Sequence, residues 1–191
     1  MIIPDEDLKD NYSIEILNIR YNLYKQSYLE VEKFKKQGLN IRHQNPPEDI
    51  TENIVKFIIR KYDNEPNIIW SKGILNKKWK ISGDLFSNNF NPEIKSFTSN
   101  GPMQFSPSKN FDVLYCLDMR NWIDDNLILW KINISSSSEI YMNIKVNKNE
   151  TIRDQIKNKR RPHINFNSFF KQIKEYSTKI FEDSFANLIN N

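Results

Sequence analysis

The chain has 191 residues, 28 of them basic and 24 acidic, for a formal charge of +4. That length supports one domain with a substantial core, and the small basic excess permits a phosphate-bearing partner without demanding one. The lone Cys116 excludes an intramolecular disulfide framework and every multi-cysteine zinc pattern, His43 and His163 are too few for a histidine-based zinc site, and no apolar run reaches the roughly 18 residues of a membrane span.

The acidic start, MIIPDEDLKDNY, lacks the apolar run of a secretory signal. From there Ile14, Leu17, Tyr21, Tyr24, Tyr28 and Val31 recur at three- and four-residue spacing, which predicts one or two helices over about 12–37, stopped by Gly38. Pro46-Pro47 makes a second break. Asp49 to Tyr62 reads as a helix with Ile50, Ile54, Phe57 and Ile58 inward, and Asp49 as N-cap with Glu52 three residues on forms a capping-box variant.

Beyond Asn64-Glu65-Pro66 the pattern changes to short strands at Ile68–Trp70, Trp79–Ile81 and Ile94–Thr98, followed by the turn-rich SNGPMQFSPSKN. Phe111–Asp118 and Leu127–Ile134 are the strongest strand signals, and Tyr141–Val146 is one more candidate. Apolar residues at 169, 170, 173, 176, 180, 181, 185 and 188 predict a long amphipathic helix over Ser168–Leu188. The expectation is a single α/β domain. It has a helical part over about 1–64, a sheet core over about 65–146, and a basic segment with a closing helix over about 150–191.

The chemistry concentrates in GDLFSNNFNPEIKSF, Gly83 to Phe97. On a strand Glu93 and Lys95 point to one face and Ile94 to the other, so a carboxylate and an ammonium share a polar face while the residue between them anchors the core. Two carboxylates and a backbone carbonyl form a hard-oxygen set suited to Mg²⁺. On this reading Asp84 is the bridging metal ligand, Glu93 the second, Ile94 the carbonyl ligand, and Lys95 the group that orients water or stabilises charge. The spacing alone is equally compatible with a solvated surface strand.

Gly83-Asp84, Pro92-Glu93-Ile94-Lys95-Ser96-Phe97, Ser99-Asn100-Gly101-Pro102 and Phe105-Ser106-Pro107, with the later Phe111-Asp112 and Tyr115-Cys116-Leu117-Asp118, resemble the PD-(D/E)xK nuclease superfamily and its type II restriction endonucleases. The resemblance spans about residues 48–165 and is specific only in the middle, and Gly83 stands where the family often has proline before the first acid. It implies a restriction-endonuclease-like core with a central mixed β-sheet of four to five strands flanked by α-helices. It also implies Mg²⁺-dependent hydrolysis of double-stranded DNA and often a homodimer; the location expected is cytoplasmic, in a prokaryote. An acidic residue on an earlier helix is a further implied participant in the metal site. Glu52 is the candidate, in competition with its helix-cap role, and Glu48 is a weaker substitute.

Two segments offer DNA contacts. Ser99, Asn100 and Gln104, with Lys109 nearby, lie just past the EIK strand, where Asn and Gln suit paired contacts to adenine; the same stretch also suits a packed connecting loop. Lys157, Lys159, Arg160 and Arg161 form the densest basic cluster, the arginines suited to guanine and the lysines to phosphate. Asp118 reads as a strand-end cap or an ion-pair partner of Arg120, and Trp70, Trp79, Trp122 and Trp130 as core. A noncatalytic DNA-binding protein, or a repair or structure-specific nuclease of the same superfamily, remains an open alternative at this level.

Overall fold

In the computed structural model, residues 3–4, 9–73 and 83–190 are described. The predicted strand at Trp79–Ile81 and the Lys77–Lys80 cluster lie outside them. Helix α1 (Ile14–Lys36) starts at Ser13, whose Oγ accepts from the Ile16 N–H at 3.3 Å, and ends before Gly38 at φ +90°. Helix α2 (Glu48–Tyr62) begins directly after Pro47 with no side-chain cap. The predicted capping box of Asp49 and Glu52 is therefore not formed, because Pro47 ends the extended chain one residue too early for it. The Asp49 carboxylate instead accepts from Tyr12 Oη and Arg20 Nε, each at 2.8 Å, and joins α1 to α2.

Strand β1 (Ile69–Trp70) pairs antiparallel with β2 (Leu85–Phe86). The main sheet contains β3 (Pro92–Phe97), β5 (Val113–Asp118), β6 (Leu127–Ile132) and β8 (Ser177–Asp183) in the order β3-β5-β6-β8. β3 and β5 are parallel and the other pairs antiparallel, so the sheet is mixed. A parallel pair needs a crossover, and the chain between β3 and β5 supplies it. Within that crossover β4 (Pro102–Gln104) pairs with β7 (His163–Asn165) in a separate two-stranded ribbon. Short helices α3 (Glu139–Met142) and α4 (Ile152–Lys157) precede β7, and α5 (Phe166–Ile173) follows it.

Alternation in β5 divides the core. Tyr115 and Leu117 pack with Ile94, Leu129, Phe181 and the apolar faces of α1 and α2. Leu114 and Cys116 pack with Phe97, Ile132, Phe169 and Ile173 on the opposite face. A strand covered on both sides reads as a continuous apolar run, which is why VLYCL carries so strong a signal. The two faces together bury a restriction-endonuclease-like mixed sheet between helices.

Two further sequence expectations are corrected. Tyr141–Val146 is not a strand. Ser138 caps α3 by accepting from Tyr141 N at 3.2 Å, and Tyr141 and Ile144 reach the core at helical spacing rather than by alternation. The long helix over Ser168–Leu188 is instead α5, a 3₁₀ turn over Lys174–Tyr176, strand β8, and α6 (Phe185–Asn190). β6 would otherwise expose its backbone edge, and the stretch STKIFED pairs with it instead. Phe169 and Ile173 enter one core and Phe181, Phe185 and Leu188 the other, so the apparent helical period is a sum over separate elements.

Lys56 is the largest buried charge on α2, with 0 % of its side chain exposed. Its ammonium donates to Asp10 Oδ1 at 2.7 Å and to the Tyr12 carbonyl at 2.9 Å, while Asp10 Oδ2 accepts from the Trp70 N–H. This cluster ties the N-terminal segment and β1 to α2. Burial lowers the Lys56 pKa from 10.5 to about 8 despite the Asp10 charge. Between those values the unfolded chain holds the proton that the folded chain has released, so stability rises with pH across the window and the gain is lost as pH falls through about 8. Urea unfolding of wild type and Lys56→Met should therefore show a stability difference that moves in favour of the wild type from about pH 8 to about pH 10. A difference that stays flat would contradict the assignment.

Candidate active site

Among the described residues β3 lies at one edge of the main sheet, and its register sets the central carboxylate. Glu93 lies opposite Leu114 and Lys95 opposite Cys116, on the face away from α2, while Ile94 lies opposite Tyr115 and packs in the α2 core. The Glu93 side chain is 2 % exposed. Its Oε1 accepts from Lys95 Nζ at 2.5 Å, and Lys95 Nζ stands 5.5 Å from the centroid of the Phe105 ring.

Asp84 comes from the neighbouring β1–β2 unit. Gly83 turns into it at φ +108°, a conformation that side-chain-bearing residues rarely adopt. The Asp84 carbonyl accepts from Ser71 N at 3.2 Å, and its Oδ2 accepts from the Ile94 N–H at 3.3 Å. Asp84 thus covers part of the outer edge of β3. In an extended strand the N–H and C=O of one residue leave toward the same side, so the Ile94 carbonyl faces this edge too.

Lys109, on the turn before β5, enters between the two acids. Its Nζ lies 3.1 Å from each Asp84 carboxylate oxygen and contacts Glu93 Oε2. Burial works against the ammonium, but the Glu93 and Asp84 charges outweigh it and raise the Lys109 pKa. From sequence Lys109 is a DNA contact; the structure turns it onto the carboxylates.

Glu52 approaches from α2. Its Oε2 accepts from Trp70 Nε1 at 2.6 Å and its Oε1 from Lys72 Nζ at 3.0 Å, and Lys72 also reaches Glu48 at 2.6 Å. Desolvation raises the Glu52 pKa, and the nearby Asp84 charge pushes the same way. A cleft of about 700 Å³ runs along these groups, lined by Lys72, Asp84, Asn91, Ser106, Lys109 and Asn110. Among the described residues, no group of three or more His, Cys, Asp or Glu side chains stands ready as a metal site. Asp84 and Glu93 converge on a lysine instead, and Glu52 is held by Trp70 and Lys72.

The candidate DNA residues fall into two neighbouring places. Ser99 borders a second cleft of about 290 Å³ with Ser96, Thr98, Gly101 and Asn45. Asn100 Oδ1 accepts from Arg120 Nη1 at 2.7 Å, and Arg120 is itself held by Asp118, its Nε 2.9 Å from Oδ1. Gln104 is exposed and lies opposite His163 in the β4–β7 ribbon. That ribbon, with Phe105 N donating to the Pro162 carbonyl at 3.0 Å, sets the basic run beside the chain leaving β3. Lys157, Lys159 and Arg161 are exposed, and Arg160 pairs with Glu150.

Sequence reasoning misses Trp70 and Lys72, which hold Glu52, and the Arg120 contact to Asn100. Trp70 reads only as core from its residue type, and the cue available is its place at the end of a strand-like piece leading into Ser71-Lys72-Gly73.

A family model described as Bsp6I restriction endonuclease matches residues 10–173 of this chain. No curated protein and no solved structure matches it.

Removing the central acid leaves two ammonium groups without their shared partner. Glu93→Ala should cost about 2–3 kcal/mol by urea unfolding in EDTA, below the ~3–5 kcal/mol of a fully buried pair because both lysines keep some water. A loss under about 0.5 kcal/mol would mean that Glu93 is solvated and unpaired in solution.

Proposed function

The chain belongs to the Bsp6I restriction endonuclease family, and from that membership we propose a type II enzyme that hydrolyses phosphodiester bonds of double-stranded DNA at a specific sequence with Mg²⁺. The observation that carries this reading is the convergence of Asp84 and Glu93 on one cation, Lys109, beside β3. A pair of acids already arranged to share a positive charge fits a divalent ion. Asp84, Glu93 and the Ile94 carbonyl would hold Mg²⁺, with Glu52 the fourth candidate donor. When bound, the ion supplies charge stabilisation at the phosphate and lowers the pKa of a water.

The remaining work belongs to the chain. Lys95, anchored by Glu93 and by the Phe105 ring, is positioned to orient the attacking water or to stabilise the developing negative charge. Trp70 and Lys72 hold the two Glu52 oxygens. The exposed Lys157, Lys159 and Arg161 offer phosphate contacts, and Ser99, Asn100, Gln104 and Arg160 are the candidates for closer contacts. Cutting both strands is simplest for a symmetric homodimer, each copy bringing one such site.

Purified protein incubated with long unmethylated duplex DNA should give discrete fragments with Mg²⁺, none with EDTA, and none with Asp84→Ala. Binding without cleavage under all conditions would favour a noncatalytic DNA-binding protein, and cleavage only at forks or mismatches a repair nuclease. Replacing Lys157 and Arg161 with alanine should weaken DNA binding on all sequences. It should also reduce the slope of log affinity against log salt by about 0.9 for each phosphate no longer neutralised. An unchanged slope would remove this segment from the interface.

A further inference from the structure

The three lysines described around the site are not equivalent. Lys95 projects from β3 and rests against Phe105, and Lys72 sits on the 3₁₀ turn after β1 where it holds Glu52 and Glu48. Of these three, Lys109 alone touches both Asp84 and Glu93, the two acids proposed as metal ligands. It comes from the Ser106–Asn110 turn, where its N–H reaches the Ser106 carbonyl only at 3.4 Å, and its side chain is 29 % exposed beside the open cleft. A rotation of its own side chain would carry it into water without moving any strand.

We infer that Lys109 is an internal counter-cation that holds the Asp84–Glu93 pair together in the free protein and competes with the divalent ion for it. The inference rests on the metal reading proposed above. Two acids this close, one of them 2 % exposed, repel each other and lose hydration unless a positive charge lies between them. The ammonium meets that need through contacts to both Asp84 oxygens and to Glu93 Oε2. It cannot stay there when a metal ion takes the same oxygens, because like charges at contact distance are strongly unfavourable. Lys109 occupancy and metal occupancy therefore exclude each other, and by linkage each weakens the other equally. Once displaced, the ammonium remains at the wall of the cleft beside Ser106 and Asn110. Lys109 is accordingly a positioning residue in the free protein.

The test is calorimetric titration with Mn²⁺, without DNA, on wild type, Lys109→Met, Lys109→Arg and Lys109→Met combined with Asp84→Asn, together with melting curves in EDTA and in Mn²⁺. Lys109→Met should bind Mn²⁺ about ten-fold more tightly than wild type. It should melt lower in EDTA and recover more on adding Mn²⁺. Lys109→Arg, which keeps the charge, should stay near wild type, and Asp84→Asn should abolish the gain. Lys109→Gln provides the same comparison if the methionine variant folds poorly. Equal or weaker Mn²⁺ binding by Lys109→Met, in a wild type that does bind, would overturn the counter-cation and leave the metal reading intact. Uptake of no Mn²⁺ by any variant would overturn the metal reading and this inference with it.

Discussion

A carboxylate with 2 % of its side chain exposed has to be neutralised where it stands, and Glu93 is that group here. Its two oxygens divide between Lys95 and Lys109, and Lys109 extends the charge pairing to Asp84. Because Asp84 also accepts from the Ile94 N–H, the same set of contacts covers the edge of β3. The chemistry of the site and the protection of a sheet edge are thus one arrangement.

The architecture serves that edge. β3 is parallel to β5, and its outer side is left to the β1–β2 unit and to the crossover carrying β4 and Lys109. Ile94 belongs to the α2 core and Glu93 to the opposite face, so a slip of one residue in the β3–β5 register would bury Lys95 and Glu93 against α2 and set Ile94 among the charges of the opposite face. The doubly packed β5 prevents that slip. α2 contributes Glu52 because Pro47 starts the helix at Glu48, which leaves Glu52 inside the first turns facing Trp70 rather than closing a cap. A second ribbon, β4–β7, draws the basic run after α4 toward the chain that follows β3, although these segments are far apart in sequence.

Much of this is legible without the fold. The alternation around Glu93-Ile94-Lys95 assigns the two faces, and VLYCL marks the central strand, because period and apolar content are local properties. Helices α1 and α2 follow from apolar spacing and from breaks at Gly38 and Pro46-Pro47. The tail misleads because its apolar residues feed two cores on opposite faces of the sheet, and their sum mimics one helical stripe. β8 forms where the free edge of β6 offers backbone partners, a demand made by a strand much earlier in the chain.

What the sequence by itself determined is a list of candidate residues and the strand that carries three of them: Asp84, then Glu93, Ile94 and Lys95 on one strand, with Glu52 as an outlying acid. Only the tertiary structure decided how their charges are compensated. Lys109 reads as one more basic residue in a turn-rich loop, and Trp70 and Lys72 carry no distinguishing pattern. Their roles arise where three separate parts of the chain meet at the edge of β3. Side-chain type and period are written locally, whereas the partner of a buried charge is whichever opposite charge folding brings within reach.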